Sequence, residues 1–527
     1  MSSLETVVAR AKRKWFVYPN SEIYGGLANA RDYGPYGSLL KKNIADAWTR
    51  HFTQSRSDIV LMDTSIIAHP TTWLASWHLA GFADALIDDK KTGQRFRADK
   101  IIEEWIEKEI TREKKNLTER TKDTLRPPQQ VIEWYNELPK TKEEFIDKEV
   151  HKQLLLNISW KYHFTNLSPE SWGNEGIYAF ITGEKIKNPS TGKEADRTEV
   201  RQFNLMLDTH LGPVADAANQ VYLRPETCQS LFTNFRNICD TTRSRIPFGL
   251  AQIGKAFRNE ITPWQFLYRT REFEQMEIEY FVPADDTISS QIFDQWKADS
   301  LTYWTEVIGI SPNHLKFHDH EKLAHYAKFA TDVEYLFPRG FGEVQGIHHR
   351  GDFDLTQHAE HAKANMQYTD PKTGDRYIPR CIEASWWLGR QVMVAMLEFY
   401  DEEIIPKEDG THDTRIVVRF PFNLAPVKYA ILPLLEKNDA MVQLGQTLLS
   451  HLQSQYKCEL DVSGNIGKRY RRQDEIGTPY CICIDHQSLE DGTVTIRDRD
   501  TMTQTRIAWT EIKEMRKSDE SSNSNNV

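Results

Sequence analysis

The sequence predicts an α+β protein: an antiparallel-sheet domain carrying a helical insertion, followed by a smaller α/β domain toward the C-terminal end. Three stretches carry that reading. Residues 251–282 (AQIGKAFRNEITPWQFLYRTREFEQMEIEYFV) are two alternating apolar runs joined by a loop with Thr262, Pro263 and Trp264, the pattern of an antiparallel hairpin with a long connection. From about 100 to 195 the composition shifts to charge-rich helical sequence such as EEWIEKEITREKKNLTERTKD, interrupted at Pro127–Pro128. From Arg415 onward apolar strands alternate with helical patterns, as in an α/β sandwich. The domains expected are 1–414, with the insertion inside it, and 415–517, with a disordered tail at 518–527 (SDESSNSNNV).

Composition narrows the function classes. A chain of 527 residues is long enough for two to four domains, and its net charge of −10 argues against indiscriminate nucleic-acid binding while leaving room for a local basic patch. Mean hydropathy is −0.60 and no run approaches a membrane span, so no membrane partner is expected. The opening MSSLETVVARAKRKW lacks the apolar core of a secretion signal, and a cytoplasmic protein is expected. None of the six cysteines stands in a Cys-x-x-Cys pair, so no zinc is expected; Cys481 and Cys483 in YCICI should be buried on one side of a strand.

In chain order, residues 15–37 read as loop and turn. After Gly37 an amphipathic helix carries Leu40, Ile44, Ala47, Trp48 and Phe52, either for the core or for a subunit interface. Arg97 reads as a surface charge. Arg224 should be extended before proline, and Pro225 and Glu226 should open a helix, where Glu226 either favours the helix dipole or meets a ligand. In the hairpin, alternation puts Arg258 and Glu260 on one face of the first strand, and Phe273, Gln275, Glu277 and Glu279 on one face of the second. Such a surface offers a planar fork to phosphate, a ring for stacking and carboxylates for amines; the alternative is a solvated sheet with cross-strand pairs. Arg269 and Arg271 beside Arg258, followed by Phe-Glu-x-x-Glu, favour a site.

Residues 287–335 read as mostly helical. In FPRGFGEVQGIHHRGDFDL, alternation places Glu343 and Gln345 on one face, and Glu343 offers the single carboxylate that nucleotide-bound Mg²⁺ uses. His348, His349, His358 and His361 read as polar surface rather than metal ligands. CIEASWWLGRQVMVAMLEF is a strand end turning into a helix, with Arg390 in its first turn either at the surface or clamping an outer phosphate. Beyond Arg415 come a strand (RIVVRFPF), a helix (VKYAILPLLEK), a second helix, and three further strands. Lys468, Arg469, Arg471 and Arg472 around Tyr470 suit RNA phosphates and a stacked base, or else a solvated basic loop. No Gly-x-x-x-x-Gly-Lys-Ser/Thr occurs, so an ATP site here is not a P-loop.

These motifs taken together resemble the homodimeric class II glycine–tRNA ligases almost end to end. SEIYGGLANARDYGP matches that family's opening, and GSLLKKNIADAWTRHF its first motif, which implies a homodimer through the helix near Ser38. FRNE through RTREFEQMEIE matches the second motif and SWWLGR the third; RPET, KLAHYA, GFGE and RYRRQDEIGTPYC also match. The resemblance implies a class II catalytic domain and an anticodon-binding domain, with ATP, Mg²⁺, glycine and tRNA(Gly) as partners. It implies that Arg258 and Arg390 are catalytic phosphate contacts, and that Asn259, Glu260, Tyr268, Arg269, Thr270, Arg271, Glu272 and Phe273 line ATP, with Phe273 stacking on adenine. Glu343, Val344, Trp387, Leu388 and Gly389 would complete that site, with Glu343 toward Mg²⁺. For glycine it implies Arg97, Glu226, Phe273, Glu274, Gln275, Met276 and Glu277, together with Glu383, Ala384, Ser385, Trp386 and Trp387. Lys468, Arg469, Arg471 and Arg472 would then bind tRNA. The chain departs from the family pattern at Trp77 and Trp387, where the family has glycine, at Gln345, where it has Glu, and at Ala384, where it has proline. Those departures leave two alternatives open: a synthetase with altered amino-acid preference, and a non-catalytic tRNA-binding dimer.

Overall fold

The computed structural model describes residues 4–120, 161, 172–213, 219–260, 266–320, 323, 327–406 and 412–512, in two compact units, Met1–His78 with Leu207–Val527 and Leu79–Met206. The Thr262–Trp264 loop, the Pro127–Pro128 break, most of KLAHYA and the 518–527 tail lie outside the described residues.

The larger unit is built on a seven-stranded sheet. Its strands run in the order Leu315–Asp319, Phe329–Phe337, Gly340–Gly351, Arg380–Trp387, Glu272–Val282, Phe248–Phe257 and Ile59–Met62, antiparallel except for the last pair. The expected hairpin is its centre, with Phe273 opposite Ala256 and Glu277 opposite Gln252. Alternation divides each strand between two environments. Met276, Ile278, Tyr280 and Val282 enter the main apolar core with Ala384 and Trp386. Phe281 instead joins Phe232, Phe235 and Phe248 in a second core on the other face. The helix Pro35–Thr49 buries Leu40, Ile44, Ala47 and Trp48 within the chain, and its widened last turn brings Phe52 to 4.9 Å from the Trp386 ring. Trp386 is fully buried, so its truncation to alanine should cost about 3–5 kcal/mol.

Residues 287–335 are helical through Asp286–Thr302, its widened continuation Tyr303–Val307 and the short turn Pro312–His314, and then supply the strands Leu315–Asp319 and Phe329–Phe337. The helix expected at VKYAILPLLEK is likewise a strand, Tyr429–Pro433, between two parallel neighbours. Ala430, Ile431 and Leu432 are fully buried, and a strand covered on both faces has the continuous apolar run that periodicity cannot tell from a buried helix. It lies in a five-stranded sheet ordered Cys458–Leu460, Tyr429–Pro433, Tyr480–Ile484, Thr493–Asp498 and Gln504–Ala508. The expected boundary at 414/415 falls inside His412–Val418, which pairs with Tyr400–Pro406.

The smaller unit has a three-stranded sheet, Arg95–Arg97, Ala83–Asp88 and Arg201–Asn204, with Ile101, Ile102, Ile106, Ile177 and Phe180 in its core. It extends beyond the 100–195 shift in composition because Ala83–Asp88 pairs with Arg201–Asn204, and neither strand carries the charge run that marks the helices. Among the described residues, no helix is long and apolar enough to cross a membrane.

Candidate active site

The face of the central strands opposite the main core gathers acids at one end. Register sets Glu277 opposite Ser385 and Glu279 opposite Glu383, so the acids of two strands stand side by side. Glu226 joins them from the turn that precedes the helix Cys228–Thr242, which starts three residues later than the expected Pro225, with Thr227 at its N-cap position. Gly254 lies opposite Gln275 in the neighbouring strand, and the buried Arg224 guanidinium occupies the space its side chain would need.

Each acid is held differently. Glu277 is 2% exposed; its Oε1 accepts from Ser385 Oγ and Gln275 Nε2, both at 2.8 Å, and its Oε2 from the Thr227 N–H at 3.0 Å and from the Thr227 hydroxyl. Burial, then the Glu383 and Glu226 charges, push its pKa up to about 7. Glu383 binds His348 Nδ1 at 2.7 Å through one oxygen and Arg350 at 2.5 Å through the other. Burial opposes its charge, but Arg350 and His348 outweigh burial and hold the carboxyl below its usual range. Burial also opposes the charge of Glu226, yet the His78 ring 3.4 Å away and Arg350 keep it well below that range. Glu279 is the contrary case: burial, then the Glu383 charge, raises it well above that range, and its Oε1 has no hydrogen-bond partner. Cys228, Glu277 and Glu279 bring one donor atom each within 4.8 Å of one another.

The other end of the face carries an open pocket lined by Arg258, Glu260, Tyr268, Arg269, Thr270, Phe273, Trp387, Gly389 and Arg390. Arg258 donates to the Pro225 carbonyl at 2.9 Å and lies 5.3 Å from the Phe273 ring centre. Arg390 is clasped between two rings, 4.2 Å from Tyr268 and 4.1 Å from Trp387. It donates to the Glu343 carbonyl at 2.8 Å and approaches the Glu343 carboxylate at 3.1 Å. Asn259 is half-buried beside this pocket, whereas Glu272 pairs with Lys255 at the exposed sheet surface. Arg271 turns away, donating to the carbonyls of Glu260 and Ala28.

Several predicted contacts fall elsewhere, and the reason is mostly strand geometry. The side chains of Met276, Ala384, Trp386, Val344 and Leu388 belong to the apolar core behind the sheet, and Glu274 pairs with Lys41 on that same side. Glu343 and Gln345 do not share a face. A bulge sets them opposite the adjacent residues Glu334 and Val333, and Gln345 turns inward, accepting from Trp304 at 2.8 Å and donating to Ser300 at 2.6 Å. Arg97 lies in the smaller unit, paired with Asp84 and Asp99. Trp77 takes a positive φ of 62°, its ring is edge-on to Phe353 at 5.8 Å, and it is 49% exposed. Trp387 is on the acidic face, opposite Gln275, with its ring over Arg390.

The basic segment is corrected more sharply. Arg469 is 1% exposed and donates to the carbonyls of Gly464, Pro433, Asp461 and Leu434. Arg472 is a fork on Asp461 and Arg471 pairs with Asp413, their side chains still 42% and 35% exposed, and Lys468 is exposed. Conversely, His348, Arg350, His78, Thr227, Gln229 and Asp354 enter the site without having been singled out for it. Gly346, His348 and Arg350 recur at every second residue, which is the signal that places them on one strand face. His348 and His358 are thus site and core groups rather than polar surface; a Cβ at Gly346 would stand 2.7 Å from the His348 ring.

Comparison with known proteins agrees with this layout. Residues 213–400 match the tRNA synthetase class II core domain (G, H, P, S and T), 84–205 the glycyl-tRNA synthetase insertion domain 1, and 428–518 the anticodon binding domain. The glycine–tRNA ligase of Acetivibrio thermocellus is 43% identical over 514 residues, covering 97% of each chain. That of Ruminiclostridium cellulolyticum is 44% identical over 508 residues, 96% of each, and that of Chlorobaculum tepidum 40% identical over 97% of this chain and 98% of its own. The fold is shared with a prolyl-tRNA synthetase of Cryptosporidium parvum crystallised with L-proline and AMP (TM-score 0.55, 11% identity, 98% of this chain and 75% of that one). With its class II core, family-specific insertion and anticodon binding domain in one chain, and relatives aligned from end to end, this chain belongs to the glycine–tRNA ligase family.

Proposed function

We propose that this chain attaches glycine to tRNA(Gly) in two steps on the acidic face of its central sheet. A carboxylate oxygen of glycine attacks the α-phosphorus of ATP and pyrophosphate leaves; the terminal ribose hydroxyl of the tRNA then takes the glycyl group and AMP leaves. The observation that carries the reading is the register that sets Glu277 beside Ser385 and Glu383 at one end of a face whose other end holds Arg258, Phe273 and Arg390. Glu226, Glu277 and Glu383 receive the substrate ammonium. Phe273 stacks on adenine, Arg258 meets the α-phosphate, and Arg390 exchanges its Glu343 contact for the outer phosphate. No side-chain nucleophile is needed, since positioning and charge neutralisation lower this barrier. The Glu343 carboxylate is 32% exposed at the pocket and suits Mg²⁺ arriving with ATP, an ion that supplies further neutralisation of phosphate charge. Gln345 is hydrogen-bonded on the opposite face and Trp77 packs on Phe353, so neither occupies the carboxylate end. All six cysteines are free, which suits a reducing compartment, and we place the chain in the cytoplasm.

The test is glycine-dependent ATP–pyrophosphate exchange by Arg258→Ala and Arg390→Ala. Losing a charged contact to the transferring phosphoryl group costs about 3 kcal/mol, so each variant should lose roughly a hundredfold in rate. Near wild-type exchange in either variant would show that its phosphate assignment is wrong.

A further inference from the structure

We propose that Gln229, Asp354 and Arg350 are positioning residues for the amino acid, tying Glu226 to Glu383 and setting the spacing of two of the carboxylates that receive its ammonium. The inference rests on the ammonium assignment above. Glu226 precedes the helix Cys228–Thr242 and Glu383 lies on the strand Arg380–Trp387, so local backbone geometry does not fix the distance between them. A continuous chain of side chains does. Gln229 Nε2 lies 3.1 Å from Glu226 Oε1 and 2.9 Å from Asp354 Oδ1. Asp354 takes the Arg350 fork through both oxygens, at 2.8 Å from Nε and 2.9 Å from the terminal nitrogen. The remaining terminal nitrogen of Arg350 reaches Glu383 at 2.5 Å.

The ends of this chain are also anchored. His358 Nε2 holds the Gln229 carbonyl oxygen at 2.9 Å, and His348 holds the second Glu383 oxygen at 2.7 Å. Gln229, Asp354 and Arg350 are 0%, 2% and 4% exposed, so water cannot replace any of these contacts. Burying acids and a guanidinium carries a desolvation cost that apolar packing would avoid, which argues for a purpose beyond stability. The bidentate geometry also discriminates: a guanidinium fixes two acids at once, whereas an ammonium is a point charge without a plane. The Gln229 amide is the donor between Glu226 and Asp354, and without it each of these acids loses one of its hydrogen bonds. A network satisfied throughout holds its shape before substrate arrives, as a site that must fit the smallest amino acid requires.

The test measures KM for glycine and for ATP separately, with the unfolding temperature, in Gln229→Met, Arg350→Lys and Glu383→Gln. Methionine keeps the approximate shape of Gln229 and loses its donor. Gln229→Met and Arg350→Lys should each raise the glycine KM by about tenfold or more, the loss of one charge-assisted bond, with the ATP KM within about twofold; each also leaves a buried acid short of a donor, so the unfolding temperature falls, and the split between the two KM values is the readout. Alanine should gain relative to glycine in kcat/KM in both variants. If Glu383→Gln leaves the glycine KM unaltered, the ammonium assignment fails and takes this inference with it. If Glu383→Gln raises that KM but folded Gln229→Met matches the wild type, the positioning role alone is overturned. A Gln229→Met variant in which both KM values worsen together overturns it too, since the residue is then structural. Should Arg350→Lys not fold, Gln229→Met decides the question.

Discussion

Glu277 sits between two acids and is the pocket carboxyl that titrates near neutrality, at about 7, through burial and then the Glu383 and Glu226 charges. An ammonium needs it ionised, so the glycine KM should rise on the order of tenfold per pH unit below about 7, while the ATP KM stays flat. A glycine KM constant across that range would contradict the assignment. The sign for folding is the opposite. The native state keeps a proton that the unfolded chain releases at the ordinary value of 4.5, so this group's contribution to stability is present at the acid end and is lost as pH rises from 4.5 to about 7. Trp387 is the second residue that decides the outcome. Its ring is one of the two plates that hold Arg390, so Trp387→Gly should change exchange by less than about tenfold; a gain of a hundredfold, about 2.7 kcal/mol, would mean that the natural side chain obstructs the site. Phe273, Gln275 and Glu277 were legible from the sequence because strand period depends on the strand alone. His348 and Arg350 were not, because Glu383, the acid both of them meet, comes from pairing with Arg380–Trp387, which no local pattern encodes.

At the scale of elements, one extra residue undoes a predicted pairing of side chains. The bulge at Val344 separates Glu343 from Gln345, a break that strict alternation cannot foresee. In the smaller unit two turns of the same design, Asp89-Lys-Lys-Thr-Gly and Asn188-Pro-Ser-Thr-Gly, close through Gly93 and Gly192 at φ 68° and 67° and join by a 2.6 Å bond from Asn188 to Asp89. Asn188→Ala should speed amide hydrogen exchange across Ala83–Asp88 and Arg201–Asn204 and leave adenylate formation at its natural rate; unchanged exchange would show that the turns hold without the bond. The helix Ile466–Ile476 looked like an RNA-facing surface because four bases crowd it. Its buried Asp474 instead gathers Arg415 and Arg497 at 2.8 Å each, and Arg469 caps backbone carbonyls. Arg469→Ala should therefore destabilise this region by about 3 kcal/mol in chemical unfolding. Lys468→Ala should leave stability intact and lower the slope of log affinity for tRNA against log salt by about one. Equal effects of the two on folding would contradict the division.

For the whole molecule, the order of parts was readable from composition and motif order, whereas their limits were not, since strands such as Ala83–Asp88 and His412–Val418 belong to sheets closed by distant partners. The homodimer remains a proposal with altered footing. The helix Pro35–Thr49 spends its apolar stripe inside the chain, while the edge strand Ile59–Met62 leaves Leu61 51% exposed beside it. Sedimentation at micromolar concentration should give a dimer, and a monomer there would exclude it. Whether this face makes glycyl-adenylate is tested most directly by ATP–pyrophosphate exchange with the purified chain, Mg²⁺ and no tRNA. Saturable exchange is expected with glycine, and with alanine or serine a kcat/KM lower by about a hundredfold or more. Exchange with glycine no faster than with no amino acid at all would contradict it.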